Sequence, residues 1–326
     1  MKIMVLGASG FIGRPLVRWL AGAGHDVLAV SRMGESAETG PGVTATALDR
    51  SDPGEIAQAA ESWRAEAVID LLAMTLAATQ PLLEALASRV GRYVMASSGD
   101  VYRQYGALHR LERANRPIQL LDEDAPLRTR LHPYRATPLR LPDDPSAWMD
   151  DYDKIPIEQA VASVADLPAV MVRLPMVYGP RDRQRRFAWA IKPMLAKAPV
   201  IEVDAQWAHW RTTYGYVDDV AAGLGLAATH PAAAGRTYNV GPLESDDHIH
   251  WGRQFAALLC WSGELRPVPR DQVAEPLRAQ LASLDLAWPM VTDTRRIRAE
   301  LGYREVVDAE DALRRTIEDE TAHSPS

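Results

Sequence analysis

The stretch that decides the fold is Lys2-Ile-Met-Val-Leu-Gly7-Ala-Ser-Gly10-Phe-Ile-Gly13, close to the start of the chain. Its first residues form an apolar run that predicts a buried strand, and residues 11–22 predict a helix. Gly7 permits a tight turn, Gly10 lets the backbone approach a pyrophosphate, and Gly13 lets the helix pack closely on the sheet. A glycine loop between a strand and a helix places a pyrophosphate at the positive end of that helix. The stretch therefore predicts a dinucleotide-binding fold.

The alternation of strand and helix continues through the first half of the chain. We expect strands at 26–30, 42–48, 67–72, 92–96 and 169–174, and helices at 53–63, 80–90 and 154–164. After Pro180 the pattern becomes irregular, and segments such as 218–229 and 253–261 are expected to build a smaller lobe. Alternating strands and helices imply crossover connections, which give a parallel sheet covered on both faces. The predicted fold class is α/β: a Rossmann-like, doubly wound parallel sheet with a smaller C-terminal substrate-binding lobe.

The chain of 326 residues is long enough for two domains. Residues 1–180 are predicted to form the dinucleotide-binding Rossmann domain, and residues 181–326 mainly the substrate-binding lobe, with some segments returning to the sheet. The periodic pattern fails between about residues 103 and 148, which are rich in Arg, Pro and Asp. Prolines at this density forbid a long helix or a central strand. We therefore predict that this Arg/Pro-rich insertion forms a loop or lid.

The composition limits the partners and the compartment. Lys and Arg total 36 against 43 Asp and Glu, so the net charge is −7 and no basic field for nucleic acid is present. The most apolar stretch, residues 67–78, contains Asp70 and is shorter than the ~20 residues of a membrane-spanning helix. The single cysteine, Cys260, interpreted as a buried apolar residue, excludes an intramolecular disulfide. We expect a cytoplasmic protein with a small-molecule substrate, and neither a nucleic-acid nor a membrane partner.

The end of the predicted second strand bears on the choice of cofactor. It reads Val30-Ser31-Arg32, with no carboxylate before Glu35. An acidic residue at this place would bond the 2′-hydroxyl of NAD, whereas an arginine accommodates the 2′-phosphate of NADP. The sequence therefore favours NADP, with NAD as the alternative.

Further motifs run down the chain to its C-terminal region. They are Ser97-Ser98-Gly-Asp100-Val-Tyr102, Arg173-Leu-Pro-Met-Val-Tyr178-Gly-Pro180, Tyr216-Val-Asp218-Asp219-Val, Tyr238-Asn-Val-Gly241 and Leu301-Gly-Tyr303. Together with the glycine loop, they resemble the extended short-chain dehydrogenase/reductases of the NAD-dependent epimerase/dehydratase type. The resemblance covers nearly the whole chain outside the insertion. It implies an NAD(P)-dependent oxidoreductase or isomerase that acts on a secondary alcohol or ketone, often of a nucleotide sugar, and by fold-level analogy a homodimer.

The resemblance also implies a set of cofactor-binding residues. They are Gly7, Ser9, Gly10, Phe11, Ile12, Gly13, Ser31, Arg32, Asp49, Leu72, Ala73, Lys154 and Pro175. For the substrate, it implies Arg211, Tyr178 and Tyr102. No metal site is predicted.

In the family, a Ser or Thr, a Tyr and a Lys act together on the substrate oxygen while hydride passes to or from the cofactor. Ser98 matches the hydroxyl position and Lys154 the lysine. The tyrosine does not match, because the residue four positions before Lys154 is Asp150. The nearest tyrosine is Tyr152, and on a continuous helix residues two positions apart differ by about 200°.

Pro156 complicates the placement of this helix, since proline is tolerated in a first turn but not in a helix interior. With Asp153 as N-cap, the helix would begin at Lys154 and leave Tyr152 on irregular backbone, free to turn toward the site. Two interpretations stay open: Tyr152 is a displaced acid/base, or Asp150 or Asp100 transfers the proton. Asp100 stands where the family's sugar dehydratases carry a glutamate, although an Asp also favours a turn there.

Several functions remain open at this point. The leading one is an epimerase or dehydratase reaction, and an NADP-dependent ketone reductase of the same fold is the first alternative. A non-catalytic dinucleotide sensor that lost the tyrosine is another, as is an isomerase or lyase that uses Asp100 or Asp150 without hydride transfer. Four arginines at positions 181, 183, 185 and 186 are a candidate clamp for an anionic substrate, or a solvated loop.

Overall fold

A computed structural model describes residues 1–34, 38, 40–138, 140–141, 144–275 and 277–322. The strands are β1 Lys2–Leu6, β2 Asp26–Ser31, β3 Val43–Ala47, β4 Ala67–Asp70, β5 Arg92–Ser98, β6 Ala169–Leu174, β7 Met176–Tyr178, β8 Val200–Asp204, β9 Tyr214–Tyr216, β10 Thr237–Asn239 and β11 Glu264–Val268. The helices are α1 Gly13–Gly22, α2 Pro53–Trp63, α3 Leu76–Leu86, α4 Arg103–Leu108, α5 Lys154–Ser163, α6 Ala188–Leu195, α7 Ala205–Ala208, α8 Val217–Thr229, α9 His248–Leu258, α10 Leu277–Ala282, α11 Arg295–Leu301 and α12 Ala309–Ala322.

A seven-stranded parallel sheet organises the fold, in the order β10-β6-β5-β4-β1-β2-β3. This order confirms the predicted Rossmann-like α/β class. One face of the sheet packs against α1 and α8 and the other against α2, α3 and α5, so each face has its own apolar core. Because the strands are parallel, the loops that follow β1, β4 and β5 meet at one edge of the sheet.

The C-terminal part adds two small parallel pairs, β8 with β11 and β7 with β9. It also returns β10 to the large sheet beside β6. Among the described residues, no helix has the length and apolarity to cross a bilayer.

Two local predictions differ from the structure. Helix α3 begins four residues earlier than expected, because Thr75 accepts a hydrogen bond from the N–H of Ala78 and caps it there. Cys260, expected to be buried, is exposed just beyond the end of helix α9.

The insertion folds back over the carboxyl end of the sheet. Its longest regular element in the part that the structure describes is α4. Leu121 donates its N–H to the carbonyl of Val291 (2.8 Å) and accepts from the N–H of Asp293 (2.7 Å), which ties the insertion to the C-terminal part. The side chain of Arg128 anchors it a second time, at the site described next.

Candidate active site

A cleft of about 730 Å³ opens over the glycine loop. Its lining includes eight of the predicted cofactor residues: Gly7, Ser9, Gly10, Phe11, Ser31, Arg32, Asp49 and Leu72. A Cβ on Gly13 would lie 2.1 Å from the carbonyl oxygen of Gly7, so only glycine lets α1 start this close to the loop. Ile12 precedes α1 and has no polar side chain to cap it, so the positive end of the helix faces the loop. These features fit a dinucleotide pyrophosphate.

Two further predicted cofactor residues lie elsewhere. Ala73 is buried, and its carbonyl oxygen accepts a hydrogen bond from Lys154. Pro175 packs against Gly215, where a Cβ would come within 2.8 Å of the proline ring. They support neighbouring groups and are not among the residues that line the cleft.

The arginine cluster lies at this same cleft. Arg181, Arg183 and Arg185 are among its lining residues, together with Asp319 of α12, whereas Arg186 is ion-paired with Asp182. Arg185 also forms an ion pair with Glu320 of α12. These three arginines therefore line the cavity that fits a cofactor, whereas Arg211 lines a different cavity.

Lys154 and Ser98 are held close to the end of the central strands. Lys154 is buried, and its Nζ donates to the carbonyl oxygens of Ala73 (2.6 Å) and Ala96 (2.9 Å). Burial lowers the pKa of Lys154 to about 8. Ser98 ends β5, and its Oγ accepts from the N–H of Asp100 (3.2 Å).

Helix α5 begins at Lys154, and the side chain of Asp153 caps it by accepting from the N–H of Ile155 (3.0 Å). Pro156 thereby falls in the first turn, where it is tolerated. Tyr152 precedes the helix on extended chain that bridges to Thr75. Its ring lies 5.6 Å from the Nζ of Lys154, and its hydroxyl donates to Asp100 Oδ2 at 2.8 Å.

Asp100 is the centre of a cluster of tyrosines. Its Oδ2 accepts from Tyr152 and also, at 3.4 Å, from the hydroxyl of Tyr134, which lies 2.8 Å from the hydroxyl of Tyr105. Burial is the main cause that raises the pKa of Asp100, although Arg128 and Lys154 oppose it. Burial also raises the pKa of Tyr152 well above its ordinary value.

Arg128 fixes the insertion to this cluster. Its Nε donates to the carbonyl oxygen of Asp100 (2.5 Å) and its Nη2 to Asp153 Oδ1 (3.1 Å). Sequence reasoning missed Arg128, Tyr105 and Tyr134, because they belong to or adjoin the stretch without hydropathy periodicity. In the sequence they are two tyrosines and an arginine in a proline-rich stretch, a pattern that does not by itself predict a functional site.

Three predicted residues are not brought into the cluster. The carboxylate of Asp150 binds Arg140 (2.7 Å) and the N–H of Ala136 (3.1 Å), within the insertion. Tyr102 is fully buried in the core, and its hydroxyl binds Asn239 (2.6 Å) and Arg173 (3.2 Å). Arg211 is exposed on a different cavity, where its Nε donates to the carbonyl of Ser245 (3.0 Å).

Tyr178, also predicted to contact substrate, packs in an aromatic group of the C-terminal part. Its ring contacts Phe187 (5.1 Å), Trp251 (5.5 Å) and Tyr216 (5.5 Å) edge to face. It is largely buried and lines a cavity that does not include the glycine loop. None of the residues around Asp100 lines the cavity to which Tyr178 belongs.

Comparison with known proteins agrees with this architecture. A 3-diazoavenalumate denitrifying reductase from a Streptomyces species is 32% identical over 302 residues, which cover 89% of this chain and 88% of that protein. Among solved structures, a Bacillus cereus UDP-glucuronic acid 4-epimerase in complex with UDP-glucuronic acid and NAD matches with a TM-score of 0.66, at 19% identity over 99% of both chains. A Thermus thermophilus UDP-glucose 4-epimerase complex with NAD matches with a TM-score of 0.64, at 22% identity over 99% of this chain and 100% of that one.

The two solved structures have the same fold, and the match to a family model is more specific. Residues 3–241 match the model of the NAD dependent epimerase/dehydratase family. This range begins in β1, contains the glycine loop, Ser98, Asp100 and Lys154, and ends just past β10. The chain therefore belongs to the NAD dependent epimerase/dehydratase family.

Proposed function

We propose that the protein is an NAD(P)H-dependent reductase that adds a hydride and a proton to a carbonyl or comparable electrophilic group of a small molecule. The observation that carries the proposal is the hydrogen bond from Tyr152 to Asp100, 2.8 Å long, beside Lys154. It supplies a proton donor at the place where the family's tyrosine is missing. The segment 72–75 links it to the cofactor cleft, because Leu72 lines the cleft and Thr75 bridges to Tyr152.

Gly7, Gly10 and Gly13 would hold the pyrophosphate of the cofactor, Arg32 its adenosine ribose, and Lys154 would orient the nicotinamide half. When bound, the reduced cofactor supplies the hydride. The chain's own residues then hold and move the proton: Ser98 polarises the substrate oxygen, and the Asp100–Tyr152 pair protonates it.

The groups beside the cleft are those that a proton transfer to a substrate oxygen requires. Burial raises the pKa values of Asp100 and Tyr152, and Lys154 Nζ is bound to two carbonyl oxygens and lies over the face of the Tyr152 ring. The choice of reduction rather than oxidation is supported by the printed name of the Streptomyces relative, which is a reductase.

An epimerase or dehydratase acting on a nucleotide sugar is the second candidate. The position of Asp100, where the family's sugar dehydratases carry a glutamate, favours it. These reactions return the hydride within one cycle, so the cofactor stays bound, whereas a reductase exchanges it each turnover. Retention of cofactor by the purified protein therefore separates the two candidates.

The first experiment denatures freshly purified protein, identifies released nucleotide by mass spectrometry, and titrates the protein with NADPH and NADH. Cofactor oxidation is then followed with 4-carboxybenzaldehyde, a 4-carboxybenzenediazonium salt, UDP-glucose and UDP-glucuronic acid. We expect little retained nucleotide, tighter binding of NADPH, and oxidation with an aromatic electrophile. Stoichiometric NAD(P)+ together with conversion of a nucleotide sugar would establish the second candidate instead. Tight binding with no turnover would indicate a sensor.

The preference for NADP rests on Arg32, which lines the cleft at the end of β2. A charge-assisted contact to a 2′-phosphate predicts that Arg32→Ala weakens NADPH binding by about tenfold and leaves NADH binding unchanged. Arg278→Ala, which removes an exposed arginine of α10, is the control. Equal losses for both cofactors would overturn the role of Arg32. We also propose a homodimer, which light scattering on the eluted protein measures directly.

A further inference from the structure

The cavity that Tyr178 lines has a volume of about 500 Å³, and residues of β9, α8, α9 and α12 contribute to it. None of its lining residues lines the cofactor cleft. Five aromatic side chains belong to the lining: Tyr178, Tyr214, Tyr216, Trp251 and Tyr303. The ring centroid of Tyr178 lies 5.5 Å from that of Tyr216 and 5.5 Å from that of Trp251, and the centroid of Trp251 lies 5.6 Å from that of Tyr214. These four rings therefore form one continuous aromatic wall, in a cavity whose volume suits a small molecule.

The charge of this cavity is negative. Among the described residues its lining has no lysine, arginine or histidine, but it has five carboxylate side chains: Asp219, Glu244, Asp246, Glu305 and Asp308. Glu305 pairs with Arg298, and Asp246 lies 3.6 Å from Nε2 of His250. The other three carboxylates form no ion pair within the part of the chain that the structure describes. The cavity therefore attracts cations.

Asp219 is the most enclosed of these carboxylates, with 6% of its surface exposed. Its Oδ1 accepts hydrogen bonds from the backbone N–H groups of Val306 (2.7 Å) and Val307 (3.1 Å). Its Oδ2 has no hydrogen-bond partner among the described residues, yet this atom is not closed off from solvent. Burial raises the pKa of Asp219 to about 6, as expected for a carboxylate without a cation beside it. Oδ2 is therefore an acceptor at the cavity that no described protein group uses.

The carboxylate of Asp219 lies close to the aromatic side chains of the cavity. Burial, followed by the charge of Asp219, raises the pKa values of Tyr178 and Tyr303. The hydroxyl of Tyr303 is buried and has no hydrogen-bond partner among the described residues. One end of the cavity thus combines a carboxylate without a cation and aromatic side chains.

The spacing of the carboxylates bears on the kind of cation. Among the described residues, no three acidic, histidine or cysteine side chains lie close enough together to hold a metal ion. The negative charge is instead spread along a cavity with an aromatic wall. Aromatic rings attract organic ammonium ions electrostatically, and the alkyl groups of such an ion also pack against the rings. The lining therefore favours an organic ammonium ion over a metal ion.

We propose that this cavity binds a small organic ammonium ion, with the charged nitrogen beside Asp219 Oδ2 and the alkyl groups against Tyr178 and Trp251. The bound cation would supply the partner that Asp219 lacks in the protein. The inference does not depend on the proposed reductase function, because the cavity and the cofactor cleft share no lining residue. Neither of the tests below needs turnover.

The first test compares two compounds that differ only in charge. Choline carries a trimethylammonium group, and 3,3-dimethyl-1-butanol has the same shape with a neutral carbon in place of the nitrogen. Ligand-observed NMR titrations of the full chain at pH 8, where the carboxylates are ionised, measure the binding of each compound. We expect choline to bind with a Kd of about 1 mM or tighter, and at least about tenfold more tightly than the neutral compound. Equal affinities, or no choline binding at about 10 mM, would overturn the proposal. Displacement of choline by a lower concentration of calcium chloride would also overturn it, in favour of a metal site.

The second test locates the bound choline with a matched pair of variants on α8. Asp219→Asn removes the charge but keeps a side-chain oxygen for the N–H groups that Asp219 binds, and we expect it to weaken choline binding about tenfold. Asp218→Asn removes the same charge one residue away, where the carboxylate pairs with Arg18 and Arg315 and does not line the cavity. It should leave the affinity for choline unchanged. Equal losses in the two variants would show only an effect of net charge and would overturn the site.

The aromatic wall provides a variant that does not alter Asp219, in case Asp219→Asn fails to fold. Trp251→Leu replaces the ring with an apolar side chain and should weaken choline binding about fivefold, with folding checked by circular dichroism. The control is Trp148→Leu, which changes a tryptophan that is 47% exposed and lies outside the cavity. An unchanged affinity for choline in Trp251→Leu would overturn the role of the aromatic wall.

Discussion

The guanidinium of Arg128 and the carboxylate of Asp153 form an ion pair in the interior, with 3.1 Å between Nη2 and Oδ1. Neither side chain is exposed by more than 1%. Arg128 belongs to the insertion, and Asp153 caps the helix that begins with Lys154. One contact therefore joins the irregular loop to the helix that carries the site.

Removal of this arginine should be costly, because it leaves a buried carboxylate without its partner. We expect Arg128→Met to lower the free energy of unfolding by about 3–5 kcal/mol, measured by urea denaturation. Arg135→Met removes the exposed pair with Asp151, and its expected cost is about 0–1 kcal/mol. Similar losses in the two variants would show that the buried pair contributes nothing special to stability.

The glycine loop offers a second matched pair on a single helix. In Gly13→Ala the new methyl group would meet the carbonyl oxygen of Gly7, so the loop must shift and cofactor binding should be lost. Gly22→Ala, at the other end of α1, has no atom within 4 Å of the new group. It should keep cofactor binding and gain about 0.5–1 kcal/mol of stability from helix propensity. NADPH titration and thermal unfolding check both variants, and full NADPH affinity in Gly13→Ala would contradict the assignment of the loop.

Lys154 predicts a change of stability at alkaline pH. Burial lowers its pKa from 10.5 to about 8, so between these values the unfolded chain binds the proton more readily than the folded one. The free energy of unfolding of the wild type should therefore rise relative to that of Lys154→Met from pH 8 to 10.5, by roughly 3 kcal/mol. Lys192→Met, which changes an exposed lysine of α6, should show no such trend. A flat difference for Lys154→Met would mean that its ammonium group is well solvated.

His248 predicts a loss of stability in acid. It lies between Trp207, with ring centroids 3.8 Å apart, and the hydroxyl of Tyr214 at 3.0 Å from Nε2. Burial lowers the pKa of His248 to about 4 from 6.5, so its contribution to folding is lost as pH falls from 6.5 to 4.

The comparison that isolates this effect is urea denaturation of wild type and His248→Phe at several pH values. Relative to the variant, the wild type should lose roughly 3 kcal/mol across this window. His250→Gln, which replaces an exposed histidine of the same helix, should follow the wild type. If the stability of His248→Phe fell with pH as much as that of the wild type, the loss of stability in acid would come from another group.

The parts of the site that the sequence predicts are those with local signals. The strand, turn and helix around Gly7 follow one another within residues 2–22, and their order alone predicts the cleft. Pro156 and Asp153 likewise fix the start of α5, because a proline in the chain limits where a helix begins. The position of Tyr152 outside that helix then follows from the same two residues.

The parts that the sequence does not predict depend on contacts between distant segments. Asp100, Tyr134 and Tyr105 meet because the insertion folds back over the sheet, and the insertion has no hydropathy period that would reveal this. Tyr102 stands only two residues after Asp100, yet its side chain enters the core and binds Asn239 of β10. Proximity along the chain does not tell on which side of a turn a side chain lies.

The way in which Arg128 anchors the insertion has a consequence for protein engineering. Residues 103–148 carry both the cover of the site and Tyr134, while the glycine loop and the sheet lie outside them. A chimaera that exchanges this one contiguous segment with a relative's would change the shape offered to a substrate and the tyrosines around Asp100 in a single step. A segment from a relative that lacks an arginine equivalent to Arg128 would not form the buried ion pair with Asp153. The presence of that arginine is therefore the criterion for choosing the relative.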